Sequence, residues 1–109
     1  MVSENYKNKI KKSIKTKFSE MGVDDDTINE LVNVSIESLE AELQAIEEIL
    51  NSDNIDELGF HTHTIKGILL NVGLNEDANN FKEIKHLIGK KTNDEIKEIT
   101  QKRISVFKG

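Results

Sequence analysis

The sequence predicts an all-α fold, an antiparallel four-helix bundle with an additional N-terminal helix. Apolar residues recur every three or four positions along most of the 109 residues, which is the helical period. The chain contains no proline, which suits long uninterrupted helices. The connections between the predicted helices are short, which favours antiparallel neighbours. We expect one domain over residues 1–109, with helix one over residues 3–21 and the bundle over residues 25–108.

The first two predicted helices are separated by Gly22, because glycine readily takes the left-handed conformation at a helix end. The run Asp24-Asp25-Asp26 then predicts the start of helix two, with carboxylates near the positive end of the helix dipole. A metal site is the alternative, but the run lacks the alternating ligands and central glycine of a calcium loop. The apolar positions are Tyr6, Ile10, Ile14 and Phe18 in helix one, and Ile28, Leu31, Val32, Ile36, Leu39, Leu43, Ile46, Ile49 and Leu50 in helix two.

Three further helices are predicted after a turn at residues 51–54. Helix three stops near Gly73, and Asn75 is a candidate cap for helix four. Thr92 and Glu95 have the spacing of a capping box at the start of helix five. The inward positions are Ala78, Phe81, Ile84, Leu87 and Ile88 in helix four, which ends at Gly89, and Ile96, Ile99, Ile104 and Phe107 in helix five.

The formal net charge of −5 hides a strong asymmetry. Residues 1–22 hold six lysines against two acids, residues 23–57 hold twelve acids and no base, and residues 58–109 hold nine bases against six acids. We interpret these segments as solvated helix faces that attract one another within the bundle. A nucleic-acid surface on residues 7–17 is the alternative, but it lacks a binding motif and stacking aromatics, so no nucleic-acid partner is expected.

Composition excludes several classes of protein. There is no cysteine, and therefore no disulfide framework or thiolate zinc site. There is no apolar run of about 18 residues and no signal-peptide core, so we expect neither a membrane span nor export, and we expect a cytoplasmic location. A coiled-coil dimer through helix two is disfavoured because its flanking positions are almost all acidic, and a monomer is expected.

The third helix carries the most informative residues of the chain. With successive residues rotated by about 100°, its positions divide into two faces. Leu58, His61, Ile65, Ile68, Leu69 and Val72 form an apolar far side, and Gly59, Phe60, His63, Lys66, Gly67 and Leu70 form the near side. The near side therefore combines an ionisable nucleophile, a cation three residues on and a missing side chain four residues on.

This arrangement resembles the phosphorylation site of histidine-containing phosphotransfer (HPt) domains. The family's pattern is a histidine, two residues, Lys-Gly, and a glycine six residues further on. Here His63, Lys66, Gly67 and Gly73 occupy those positions in H-T-I-K-G-I-L-L-N-V-G. The acidic amphipathic helix before the motif and the helical segment after it also match the family's layout, over roughly residues 25 to 90.

The resemblance implies a role for each near-side residue. His63 would accept the phosphoryl group, for which imidazole is suited because it is a good nucleophile near neutral pH. Lys66, one turn away, would stabilise the added negative charge. Gly67 costs about 1 kcal/mol relative to alanine in a helix interior, and we interpret it as access for the phosphoryl group and the partner, with close helix packing as the alternative.

The other two histidines receive structural interpretations. His61 is rotated by about 160° from His63, so it should point toward the core as a buried, hydrogen-bonded histidine. The pair would share a face on a strand but not on a helix, which disfavours a metal site. His86 is expected at the surface.

Three further residues are candidates around His63. In related domains a polar side chain, often glutamine, reaches the histidine from the next helix, and Lys85 holds that position here; it would either stabilise the phosphoryl group or remain a solvated lysine. The chain departs from the family after Gly67, where bulky residues replace small ones. Phe60 and Leu70 would form an apolar docking rim.

The resemblance implies a phosphoryl carrier rather than an enzyme, exchanging the group with a response-regulator receiver domain or a hybrid histidine kinase. It implies that the receiver supplies Mg²⁺ and that this chain needs no cofactor. The chain has no phosphate-binding glycine loop, so direct use of ATP is not expected. The alternatives are a helical adaptor module that is not phosphorylated, and the phosphoryl-accepting domain of a chemotaxis-type histidine kinase.

Overall fold

The structure, a computed structural model, describes residues 1–81 and 84–109, and it confirms the all-α fold. The α-helices are α1 (Glu4–Ser19), α2 (Asp25–Leu50), α3 (Leu58–Asn71), α4 (Asn75–Asn79), α5 (Ile84–Leu87) and α6 (Asn93–Ser105), and a 3₁₀ turn at Ile55–Glu57 leads into α3. Within the described residues there is no strand, and no helix is long and apolar enough to cross a membrane.

Side-chain caps fix the starts of α1, α2 and α6. The Ser3 hydroxyl accepts a hydrogen bond from a backbone N–H of α1, and the Asp24 carboxylate does the same for α2 by accepting from the Thr27 N–H at 2.8 Å. The predicted capping box of Thr92 and Glu95 is present at the start of α6. These bonds satisfy backbone donors that have no partner within the helix, so the sequence specifies where these three helices begin. Helix α3 starts without a side-chain capping bond.

Helix α2 is the central element of the bundle. Its 26 residues pack against α1 on one side and α3 on the other, and α3 in turn contacts α4 and α5. Leu39, Leu43 and Ile46 of α2 are fully buried between these neighbours. The predicted apolar stripe of helix two therefore forms the centre of the core. Helix α3 lies between α2 and the later helices α4 and α5.

Helix α1 is an integral part of the core rather than an addition to its outside. Tyr6, Ile10 and Ile14 are buried, and the Tyr6 ring meets Phe107 edge-on at a centroid distance of 4.7 Å. Phe107 also stacks on Phe81 at 5.5 Å. Residues from the two ends of the chain thus meet in one aromatic cluster, formed by Tyr6, Phe81 and Phe107.

The predicted single fourth helix is wrong in two respects. Asn75 is the first residue of α4 and does not cap it; Leu74 precedes the helix without a side-chain capping bond. The helix is also interrupted, because Asn80 and Phe81 form a turn. The Phe81 ring is buried against Phe107. The part of the predicted helix at residues 82 and 83 lies outside the described residues. Ile84 is buried as expected, and α5 ends at Leu87.

Candidate functional site

The buried face of α3 determines which of its side chains reach solvent. Leu58, Ile65 and Leu69 are fully buried, and so is Thr62, whose hydroxyl donates to the Leu58 carbonyl at 2.6 Å. Because Thr62 is buried together with them, the buried face is rotated toward α4 and α5 relative to the predicted far side. Gly59, which was assigned to the near side, is also buried.

His63 is exposed on the opposite side of α3. Phe60, three residues earlier, is 69% exposed, and Leu70, seven residues later, is 40% exposed. The three side chains follow a helical spacing along one stripe of the surface. The structure thus brings His63 and both predicted rim residues to one face.

Gly67 lies one helical turn beyond His63, over open space. A Cβ atom built at this position would meet no other atom within 4 Å outside its own helix backbone. No neighbouring helix therefore requires a glycine there. The cost of a glycine in a helix interior is not offset by packing, and the free volume is available to a group attached to the imidazole or to a protein that approaches it.

A surface depression of about 360 Å³ lies beside the histidine. It is lined by Asp56, Gly59, Phe60, His63, Lys85 and Ile88. A Cβ atom at Gly59 would stand 3.4 Å from the Lys85 Cγ and the Ile88 Cδ1, at van der Waals contact. Gly59 is therefore packed against the segment that carries Lys85, and Lys85 lines the same depression as His63.

The two candidate cations approach this face from different elements. Lys66 follows His63 by three residues on α3 and is half-buried, whereas Lys85 is exposed on α5. Within residues 1–81 and 84–109, neither ammonium group forms an ion pair within 4.0 Å. Neither charge is therefore neutralised by a described carboxylate, and Asp56 adds a negative charge at the edge of the depression.

His61 has the predicted hydrogen-bond partner, but it is partly rather than fully removed from solvent, so its predicted burial holds only in part. Its side chain retains 20% exposure at the seam between α2 and α3, where Nδ1 lies 2.6 Å from Glu42 Oε2. An ionised carboxylate only accepts hydrogen bonds, so Nδ1 donates. The ring also meets Phe60 edge-on at 5.2 Å. His61 thus joins α2 to the part of α3 that carries Phe60, and His86 is exposed as expected.

Sequence reasoning missed four residues that shape this site. Thr62 was detectable, because it continues the spacing of Leu58, Ile65 and Leu69 on the buried face. Gly59 lies one turn before His63, as Gly67 lies one turn after it, but only the position of α5 shows which glycine is packed. Asp56 and Glu42 gave no signal, because their proximity to the histidines depends on the bend before α3 and on the register of α2.

With the geometry established, comparison with known families identifies the chain. The family described as Hpt domain matches residues 30–103, which is more than half of the sequence, and the chain therefore belongs to the Hpt domain family. Members of this family are phosphotransfer carriers of phosphorelays rather than enzymes with a catalytic site of their own. Comparisons with curated proteins and with solved structures gave no match.

Proposed function

We propose that this protein carries a phosphoryl group on His63 and exchanges it with the aspartate of a receiver domain. The observation that carries the proposal is the exposed imidazole beside the open position at Gly67, on the helix at the centre of the matched segment. No other described histidine has this setting, since His61 is bonded to Glu42 and His86 lies on the short helix α5.

The transfer needs little from this chain beyond a placed nucleophile. The lone pair of a neutral ring nitrogen attacks the phosphorus of the aspartyl phosphate, an N–P bond forms, and the P–O bond breaks with its electrons returning to the aspartate carboxylate. The reverse sequence delivers the group to another aspartate. Lys66 and Lys85 offset the charge that the phosphoryl group brings, and Mg²⁺ is proposed to come with the receiver.

Phe60 and Leu70 are proposed to bind the receiver around the histidine. Both are large apolar side chains exposed on the face that His63 shares. Covering them with a partner excludes water from the transfer and favours a defined approach. Their exposure also supports the second candidate, an adaptor that binds through the same face without phosphorylation.

The test is incubation with a phosphorylated receiver domain and Mg²⁺, with phosphorylation followed by intact mass and by acid lability. His63→Gln should abolish labelling, while His61→Gln and His86→Gln should retain it. Acid-labile phosphate on the His63→Gln variant would refute the assignment. If the wild-type protein binds the receiver but never becomes labelled, the adaptor function is established instead. An ATP-loaded kinase in place of the receiver tests the kinase-associated alternative.

A further inference from the structure

A second concavity lies between α1 and the turn that joins α3 to α4. Its volume is about 550 Å³, within the range of small-molecule sites. It begins ten residues beyond His63, which corresponds to about 15 Å along a helix at 1.5 Å per residue. The residues of α1 that form one wall of this concavity lie before residue 30, where the family match begins. The lining includes Lys9, Lys12 and Lys17 from α1, and Gly73, Leu74 and Asn75 from the turn.

The walls of this groove are held together by contacts within the protein. The Ser13 hydroxyl of α1 donates to the Val72 carbonyl at 2.6 Å, and the Lys17 ammonium donates to the Asn71 carbonyl at 3.1 Å. Gly73 has φ +88° and permits this approach, since a Cβ atom there would lie 3.1 Å from the Ser13 Oγ. The groove is therefore preformed, so binding in it requires little ordering of the chain.

The charge of the groove is unbalanced. Lys9 is paired with Asp77 at 2.8 Å, but within the described residues Lys12 and Lys17 have no carboxylate within 4.0 Å. Two positive charges thus remain without a compensating acid. Leu74 and the aliphatic stems of the lysines supply apolar surface between them, because long cationic side chains lay their methylene groups along a groove and keep their ammonium groups in solvent.

We propose that this groove binds a small organic phosphate, with the phosphate at Lys12 and Lys17 and the apolar body against Leu74. A doubly charged phosphate matches the two uncompensated ammonium groups, and lysine binds phosphate as a point charge. Thr16 and Asn75, which also line the groove, offer further hydrogen-bonding groups. The proposal does not depend on the chemistry proposed for His63.

ADP is a suitable probe because it combines phosphates with a planar body. Binding is measured by titration calorimetry at about 150 mM salt, because salt suppresses diffuse attraction between exposed charges. We expect ADP to bind at least tenfold more tightly than either pyrophosphate or adenosine alone. Lys12→Ala should weaken ADP binding at least fivefold. Lys15→Ala is the matched control, because Lys15 is an exposed lysine of α1 that does not line the groove, and it should change the affinity less than twofold.

Amide chemical shifts of the ¹⁵N-labelled protein locate the ligand. ADP should shift Thr16, Gly73 and Asn75, and should leave His63 and Gly67 unmoved. Three outcomes overturn the proposal: no saturable binding by about 1 mM ADP, pyrophosphate as tight as ADP, or equal losses for Lys12→Ala and Lys15→Ala. Because both variants change an exposed lysine, their circular dichroism should match that of the wild type.

Discussion

At the residue scale, the exposed face of α3 depends on a missing side chain as much as on the histidine. Gly67 faces open space, whereas Gly59, one turn on the other side of His63, is packed against α5. Two glycines equally spaced from the histidine therefore have opposite surroundings. Gly59 is packed against the segment that carries Lys85, and Gly67 leaves the surface beside the imidazole clear.

Substitution at Gly67 separates access from stability. Gly67→Ala should be neutral or stabilising by up to about 1 kcal/mol, because alanine has the higher helix propensity and its Cβ meets nothing. Gly67→Gln should fold normally but accept a phosphoryl group from a receiver at least tenfold more slowly, because its side chain occupies the free volume. Thermal unfolding and transfer rates measure the two effects.

Gly59→Gln is the matched control, because a long side chain there would collide with Lys85 and Ile88 and should lower the melting temperature. If Gly67→Gln unfolds the domain, Gly67 is a packing glycine. If it transfers at the wild-type rate, the His63 face is not the docking face, and the assignment of His63 weakens with it.

At the scale of elements, the seam between α2 and α3 positions the site. The acidic helix α2 reaches the histidine-bearing helix through the Glu42–His61 pair, while apolar contacts fill the rest of the seam. A polar pair at the edge of a packed seam favours one register, because a slipped register would leave both groups without a partner. His61 thus helps to hold α3 in place, although it does not lie on the same face of α3 as His63.

His61→Asp should lower the free energy of unfolding by about 1–3 kcal/mol at pH 7, because it places a second carboxylate against the half-buried Glu42. Urea unfolding measures the loss. Adding Glu42→Lys should recover part of it by restoring opposite charges. His86→Asp, the same change at an exposed histidine, should cost much less. Equal stability of His61→Asp and the wild type would show that the pair contributes nothing to the seam.

At the scale of the whole molecule, a polar network ties α1 to α4. The Tyr6 hydroxyl donates to Asp77 at 2.5 Å and the Lys9 ammonium donates to the same carboxylate oxygen at 2.8 Å. Burial acts to raise the pKa of Asp77, but the hydrogen bonds from Lys9 and Tyr6 outweigh it and hold this pKa below its usual 3.8. Burial, together with the bond to Asp77, raises the pKa of Tyr6.

This network predicts a loss of stability in acid. A carboxyl whose pKa is lower in the folded state stabilises the fold above the unfolded-state pKa, and that contribution disappears as the pH falls through the folded-state pKa. Asp77→Asn should therefore destabilise the protein at pH 7 by about 1 kcal/mol, and the difference from wild type should shrink below about pH 3.8. Glu76→Gln, at an exposed neighbour in α4, is the control, and urea unfolding against pH is the measurement. A difference that persists unchanged at pH 2.5 would contradict the role of the ionised carboxylate.

Local spacing along the chain predicts the motif and most of the helices, because each depends on residues within one helix. The capping box of Thr92 and Glu95, the cap at Asp24 and the apolar stripe of α2 each act within one helix, and so does the spacing of His63, Lys66 and Gly67. The interruption at Asn80 and Phe81 has no comparable signal in the local spacing, which predicted a continuous helix with Phe81 inward.

Contacts between distant parts of the chain set how those helices form the His63 face and the second groove. Packing rotated α3 so that Thr62 and Gly59 are buried, and it brought Lys85 beside His63. His61 and Glu42, which form a pair, are 19 positions apart. The contact between α1 and the turn at Gly73 joins residues about 60 positions apart. Helical periodicity assigns a residue to a face of its own helix, but the neighbour that covers that face depends on long-range packing that periodicity does not encode.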